Sequence, residues 1–183
     1  MSTKVVTGPV RFSYLTVFKP RAFADGGPEQ YSVVLLIPKK DKKTVTKIKK
    51  AIADELLEGQ EKFWKGKKPS NLWNPLRDGD EEKDPDEHPE YAGMYFLTAK
   101  SEVKPILLDQ DGDELLDQTE MYSGCWGRAN LSFFCFDNKT KGVGVGLNAL
   151  KKTKDDTPFG GGMNRDDIIS SFDEDAEDEE EDW

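Results

Sequence analysis

The sequence has few of the residues that carry metal or redox chemistry. Two cysteines, Cys125 and Cys135, and one histidine, His88, occur among 183 residues. Three such ligands cannot complete a tetrahedral zinc site without help from carboxylates. We interpret both cysteines as small apolar residues in a reducing compartment rather than as a disulfide. No metal or other cofactor is predicted.

Apolar residues are also scarce. They make up 36% of the chain, and the mean hydropathy is −0.72. No apolar run is long enough to span a membrane, and the first ten residues do not form a signal peptide. The sequence therefore predicts a cytoplasmic protein with no membrane partner. A chain of this length allows one domain of ordinary size plus appendages.

Basic residues are absent from the C-terminal end. Residues 166–183 hold eleven acids and no Lys or Arg, in a chain whose formal net charge is −10. Without them, 25 acids remain against 26 basic residues, so the body carries +1. Residues 78–90 form a second acidic run, with eight acids and one Lys. This distribution suggests a body that binds polyanions and a tail that imitates one.

Hydrophobic patterning predicts a mainly β protein. One amphipathic helix is expected over 41–57, since Val45, Ile48, Ile52 and Leu56 form one stripe, and Gly59 is a stop signal. In the first strand, Phe12, Tyr14, Thr16 and Phe18 are expected to share a face. Residues 61–90 are interpreted as a long irregular loop. Strands are predicted over 10–18, 31–37, 93–99, 105–108, 122–136 and 143–150.

Short strands in this number, with one helix, indicate a small closed or nearly closed barrel. We divide the chain into a binding domain over 1–157, a glycine-rich joint over 158–165 and an acidic disordered tail over 166–183.

Two motifs resemble known ligand loops but fit other roles better. Gly142-Val-Gly-Val-Gly146 lacks the spacing of a dinucleotide-binding loop, and its alternate glycines would let a backbone or a ligand approach one face. Asp109, Asp111, Asp113 and Glu120 match positions 1, 3, 5 and 12 of a calcium loop, but a glycine is missing at position 6. We interpret that segment as a hairpin turn. No nucleophile–base pair stands out, so no enzyme activity is predicted.

Cationic residues lie next to aromatic ones on the predicted strands, as in proteins that stack single-stranded bases and track phosphates. Gly124 and Gly127 are expected to leave Trp126 open to a base. The alternative, that such aromatics are barrel core, stays open, and Phe12, Phe96, Phe133 and Phe136 are the predicted core members. The predicted DNA contacts are Arg11, Tyr14, Lys19, Arg21, Trp73, Tyr95, Lys100, Lys104, Trp126 and Arg128.

The tail ends on an aromatic residue after a run of acids. Such an end offers one apolar anchor in a negative field, which suits docking into a basic, apolar pocket of a partner. The alternative is that the tail only solubilises the protein. The predicted partner-binding residues are Phe172, Glu179, Glu180, Glu181, Asp182 and Trp183.

Several blocks of sequence resemble a family of bacteriophage single-stranded DNA-binding proteins, over nearly the whole of residues 5–162. The blocks are Arg11-Phe-Ser-Tyr-Leu-Thr-Val-Phe, Tyr31-Ser-Val-Val-Leu-Leu-Ile-Pro-Lys, Pro75-Leu-Arg-Asp-Gly-Asp, Tyr91-Ala-Gly-Met-Tyr-Phe-Leu-Thr-Ala-Lys-Ser, Tyr122-Ser-Gly-Cys-Trp-Gly-Arg-Ala, Lys141-Gly-Val-Gly-Val-Gly-Leu-Asn and Pro158-Phe-Gly-Gly.

The resemblance implies an OB-fold and a role in phage DNA replication, recombination and repair, in the cytoplasm of a bacterial host. The sequence is similar to those of podoviral replication proteins whose acidic tails end in Phe, whereas this chain ends in Trp183. The implied partners are single-stranded DNA and, through the tail, a polymerase or helicase. A homo-oligomer is compatible with the sequence.

The hypothesis from the sequence is therefore sequence-independent binding of single-stranded DNA. An acidic chaperone or DNA mimic that binds basic proteins is the first alternative, and a metal-dependent nuclease is the second.

Overall fold

The structure, a computed structural model, describes residues 3–22, 26–138 and 140–159. Nine strands and two α-helices lie in these ranges. In chain order they are β1 (Thr3–Val6), β2 (Val10–Ala22), β3 (Glu29–Pro38), α1 (Lys42–Lys62), β4 (Leu72–Trp73), β5 (Arg77–Asp78), α2 (Gly79–Glu82), β6 (Met94–Ser101), β7 (Ile106–Leu108), β8 (Trp126–Asp137) and β9 (Lys141–Lys154).

Five strands close into a ring. β8 pairs with β2, β2 with β3, β3 with β6, β6 with β9, and β9 returns to β8. The closing contact between β6 and β9 is parallel and joins Lys100 to Gly146. β8 and β9 form the longest ladder, from Trp126↔Lys154 to Asp137↔Lys141. The prediction of a mainly β small barrel with one amphipathic helix is confirmed.

The core fills the ring and is closed by α1. Alternate residues of β8, including Leu131 and Phe133, point inward and are fully buried, as a strand with one solvated face requires. Val45 and Ile48 of α1 pack into the same core. The Asp41 side chain caps the helix by accepting from the Thr44 amide. The predicted apolar stripe is thus the buried face of the helix.

The helix does not stop at Gly59, as its sequence suggested, but continues to Lys62. A Cβ on Gly59 would meet the Sγ of Cys135 and the ring of Trp64. This glycine therefore permits close packing of the last helical turn against β8 rather than ending the helix. Both cysteines are free, and burial raises the pKa of the Cys125 thiol.

The alternation predicted for the first strand is wrong from Tyr14 onward. Phe12 and Val17 are both fully buried, whereas Tyr14 is 63% exposed with a positive φ of 46°. The pairing of β2 with β3 is irregular between Ser13 and Thr16. A bulge of this kind shifts the alternation of buried and exposed residues along the strand. The periodic pattern of the sequence does not predict where such a bulge lies.

Residues 61–90 are not wholly irregular, because two short strands fasten them to the barrel. β4 pairs in parallel with β9, and β5 pairs with β6. Lys39 donates to Asp78 Oδ1 and Asp80 Oδ2, both at 2.7 Å, and these bonds raise the pKa of the lysine. The first strand, β1, was also missed by the sequence and pairs with β8.

The segment after β7 is a turn, as predicted. Asp109 Oδ1 accepts from the amides of Asp111 and Asp113, and the Asp109 amide donates to Asp113 O at 2.8 Å. None of the described helices has the length and apolar composition needed to cross a membrane.

Candidate nucleic-acid interface

A cleft of about 420 Å³ opens on the outer surface of the barrel. Two cationic side chains and three aromatic rings line it. Among the described residues, no acidic side chain does so. Its wall is formed by Gln30, Trp73, Pro75, Arg77, Thr98, Lys100, Phe134, Phe136, Gly144 and Val145. The elements that meet here are β3, β6, β8, β9 and the segment from β4 to β5.

A glycine on β9 positions the first aromatic wall. Trp73 pairs with Gly142, and a Cβ on Gly142 would collide with the backbone of Trp73. The prediction that glycines on alternate positions let a backbone approach is confirmed at this position. The Trp73 ring, held by its short strand, remains 49% exposed. An exposed indole fixed by backbone pairing can stack a planar ligand.

The second aromatic wall is Phe134, which points outward from β8 and is 42% exposed. Its pairing partner is Gly144, and a Cβ there would lie 2.5 Å from Phe134 Cζ. The next glycine along, Gly146, pairs with Ser132 and has no such conflict, since its nearest contact would be 3.6 Å. Gly144 therefore leaves the space that the phenyl ring occupies.

Two cations complete the cleft. The Arg77 guanidinium lies 5.6 Å from the Trp73 ring centroid and 4.8 Å from that of Phe96. Glu82 Oε1 orients it by accepting from Nε at 3.0 Å and from Nη2 at 2.8 Å. Lys100, predicted from the sequence, is exposed on β6 opposite Ser32. The cleft thus combines stacking surfaces with positive charge.

Sequence reasoning missed Arg77 and Phe134. Its prediction that Phe136 belongs to the core is wrong, because Phe136 is only partly buried and lines the cleft. Arg77 lies in the Pro75-Leu-Arg-Asp-Gly-Asp block, which carried the family resemblance but has no periodicity from which to assign a face. Phe134 follows the core residue Phe133, so strict alternation in β8 would have identified it as an outward aromatic.

Of the other predicted cations, Arg21 is joined to the cleft by backbone pairing. It pairs with Gln30, a lining residue, and directly paired residues share a face. Arg128 is exposed on the outer face of β8 and donates from Nε to Thr7 O at 2.9 Å. Lys19 and Lys104 are exposed but do not line the cleft.

Arg11 and Trp126 lie in a different place, where they hold the segment that follows β9. Arg11 donates from Nη2 to Thr157 O at 2.8 Å, and Trp126 Nε1 donates to Asp156 Oδ2 at 2.8 Å. The indole bond is the largest cause of the lowered pKa of the Asp156 carboxyl. We call these contacts, with those of Tyr122 to the same segment, the C-terminal clasp.

The two glycines beside Trp126 do not open its ring to a base, as the sequence had suggested. Gly124 has a φ of 116°, and a Cβ on it would collide with Thr157 O. A Cβ on Gly127 would press on the ring of Phe12 at 2.5 Å. Both glycines make room for the protein's own atoms rather than for an incoming base.

The two predicted tyrosines are not in the cleft. Tyr14 is exposed on the bulge of β2. Tyr95 faces a larger cavity of about 610 Å³ on the other side of Trp73, with Lys39 Nζ 5.2 Å from its ring. Three acids line that cavity, namely Asp78, Glu81 and Glu82. Acids repel phosphates, so the smaller, acid-free cleft is the better candidate for DNA.

The predicted partner-binding residues Phe172, Glu179, Glu180, Glu181, Asp182 and Trp183 lie outside the described residues, as does the joint beyond Phe159. The start of the joint, Pro158 and Phe159, is described.

Comparisons of the sequence and of the structure with known proteins agree with each other. A family model described as the ssDNA-binding protein of Enterobacter phage Enc34 matches residues 3–182. The solved structure of the single-stranded DNA-binding protein from bacteriophage Enc34 in complex with ssDNA is 31% identical, with a TM-score of 0.72, over 86% of this chain and 89% of that one.

Two further proteins extend the comparison. The p50 protein of Acyrthosiphon pisum secondary endosymbiont phage 1 is 29% identical over 169 residues, which is 87% of this chain and 88% of that protein. The single-stranded DNA-binding protein gp2.5 of bacteriophage T7 is 17% identical, with a TM-score of 0.62, over 93% of this chain and 94% of that one. That last similarity is one of fold.

Proposed function

Since this chain belongs to the family of the ssDNA-binding protein of Enterobacter phage Enc34, we propose that it binds single-stranded DNA without reading the base sequence. The exposed rings of Trp73 and Phe134 stack bases, and stacking uses a π-face that every base has. Arg77 and Lys100 attract the phosphates between them. The proposal assigns no catalytic step to the protein.

The observation that carries this proposal is the composition of the cleft. It holds three aromatic side chains and two cations and, within the described part of the chain, no acid. The larger cavity beside Tyr95, in contrast, is lined by three acids. Exclusion of acids from one aromatic cleft is what a polyanion site requires.

A gel-shift experiment tests the proposal. Oligo-dT, a mixed-sequence single strand and a blunt duplex of equal length are each titrated with the protein. We expect similar affinity for the two single strands, weaker binding of the duplex, and weaker binding of all three as salt rises. Equal affinity for duplex and oligo-dT would contradict the proposal. Failure to bind either would favour the acidic chaperone or DNA mimic.

We place the other predicted contacts around the cleft. Arg21 and Arg128, with Lys19 and Lys104 further out, are proposed to attract phosphates on either side of the stacked bases. Arg11 and Trp126 are proposed to act through the clasp, and their own contact with DNA stays a prediction. Tyr95 also stays a prediction, since it opens on the acid-lined cavity instead.

For the biological role, we propose that the protein covers single strands during phage DNA replication, recombination and repair in the host cytoplasm. The tail over 166–183 is proposed to recruit a polymerase or helicase and to compete with DNA for the cleft. Its eleven acids and the terminal Trp183 support both roles. Short flexible tethers give effective concentrations near millimolar, so weak contacts of the tail are enough for competition.

A further inference from the structure

A second aromatic cluster lies on the outer face of the barrel beside the cleft. Leu36, Tyr91 and Phe96 are buried there, and Phe159 packs against them. Phe96 points to the same side of β6 as Thr98 and Lys100, because strand residues two apart share a face. Since Thr98 and Lys100 line the cleft, the cluster continues the cleft along β6.

Cations connect the two places. Arg77 lines the cleft, and its guanidinium also lies 4.8 Å from the centroid of the Phe96 ring. Lys83 Nζ lies 5.2 Å from the Tyr91 ring centroid and 5.3 Å from that of Phe96. At the far end, the Arg11 guanidinium lies 4.3 Å from the centroid of the Phe159 ring. Cationic side chains therefore follow the aromatic ones from the cleft to Phe159, and the first of them, Arg77, is paired with Glu82.

The C-terminal clasp makes Phe159 part of the body of the protein. The Phe159 amide donates to Ser123 O at 3.0 Å. Just before it, Asp156 accepts from the Trp126 indole, and its amide donates to the Tyr122 hydroxyl at 3.2 Å. Arg11 Nη2 also lies 3.6 Å from Asp156 Oδ1, so the carboxylate balances part of the positive charge of Arg11. The Phe159 ring is held by these contacts yet remains half-buried rather than covered.

We propose that the single-stranded DNA site extends from the cleft along β6 to Phe159, whose ring stacks a further base beside the Arg11 guanidinium. The inference rests on the proposed function, and it adds a second stacking position to the same site. It also explains the clasp, since a ring that is already held in place loses less conformational freedom when it stacks a base.

The test is the length dependence of binding by the full chain. Affinities are measured for oligo-dT strands of roughly 4 to 16 nucleotides, the range of site sizes for such barrels. The variant Phe159→Leu keeps an apolar side chain against the cluster but removes the aromatic face. Phe63→Leu is the matched control, because Phe63 is an exposed aromatic that follows α1 and does not line the cleft.

We expect the unmodified protein and Phe63→Leu to gain affinity steadily with length. Phe159→Leu should match them on the shortest strands and bind the longest ones about 5- to 150-fold more weakly, the effect of losing one stacked base. Equal affinities at every length would overturn the inference. So would an equal loss at every length, which would mean that the variant disturbs the fold or the tail. Failure of the unmodified protein to bind any strand would instead refute the proposed function.

Discussion

The Arg77 guanidinium lies 5.6 Å from the centroid of the Trp73 ring, and the two side chains form one wall of the acid-free cleft. A cation over an indole face is attracted by the ring quadrupole. Glu82 holds the guanidinium in that position through two hydrogen bonds. The pair therefore presents a stacking face for a base and a cationic group for a phosphate side by side.

Replacing Trp73 by Ala should weaken binding of oligo-dT by about 1–3 kcal/mol, the contribution of one stacked base. The melting temperature should change little, because the ring is 49% exposed. Phe63→Ala removes a similarly exposed aromatic outside the cleft and should leave the affinity unchanged. Equal losses in the two variants would show that the cleft has no special part in binding.

Arg77→Gln and Lys100→Gln should each make binding less sensitive to salt. Every phosphate contact with a single strand contributes about 0.7 to the slope of log K against log salt, because counterions are released. Each variant should lower that slope by roughly one such contact. Lys50→Gln, on an exposed face of α1 where Lys50 pairs with Asp54, is the control and should keep the slope.

Gly144→Ala should reduce the affinity for single strands while the protein remains folded. The added Cβ would lie 2.5 Å from Phe134 Cζ, and the exposed ring can turn away from it at little cost to the core. Gly146→Ala is the matched control on the same face of β9, since its Cβ would have only ordinary contacts, the nearest at 3.6 Å. Retained affinity in Gly144→Ala would remove Phe134 from the binding surface.

Deleting residues 166–183 should tighten binding of oligo-dT, most clearly at low salt, where the competing charges are least screened. Deleting Trp183 alone should keep this competition, because all eleven acids remain, and should weaken recruitment of a polymerase or helicase. Both variants are compared with the full chain by oligo-dT titration at low and high salt. Equal affinity of the full and tail-deleted chains at low salt would refute competition by the tail.

Glu55→Gln should stabilise the protein at neutral pH. Glu55 is only 3% exposed and accepts from the Thr3 hydroxyl at 2.9 Å, and burial raises the pKa of its carboxyl. The folded protein therefore holds the proton more tightly than the unfolded chain. The stability that protonation provides is lost as the pH rises through the folded pKa.

Gln is neutral at every pH and can still accept the Thr3 bond. The melting temperature of Glu55→Gln should exceed that of the unmodified protein at pH near 7, and the difference should shrink as the pH falls to about 4. Glu61→Gln, an exposed acid on the same helix, should show neither effect. A lower melting temperature for Glu55→Gln at neutral pH would contradict the assignment.

The barrel could be predicted because its strands and helix bury regular faces. The stripe of Val45, Ile48 and Ile52 and the alternation in β8 each follow a local period. The bulge at Tyr14 and the continuation of α1 through Gly59 could not be predicted, because each depends on a neighbour distant in sequence. At Gly59 that neighbour is Cys135.

The site was predicted less completely than the fold. Trp73 and Lys100 were named from their chemistry alone, and the structure brings both into one cleft. Arg77 reaches the same cleft only because β5 pairs with β6. No periodic pattern in the sequence predicts that pairing. Trp126 was predicted from the sequence to contact DNA just as Trp73 was, yet its indole donates a hydrogen bond to Asp156. Which aromatics open on a cleft is decided by tertiary pairing.

The most direct test of the central claim is a titration with oligo-dT that follows tryptophan fluorescence in the unmodified protein and in Trp73→Phe. The chain has four tryptophans, and among the three in the described residues Trp73 alone lines the cleft. The account predicts that oligo-dT quenches the unmodified protein and that most of the quenching is lost in Trp73→Phe, which still binds by gel shift. Undiminished quenching in Trp73→Phe, or no binding of oligo-dT by the unmodified protein, would contradict it.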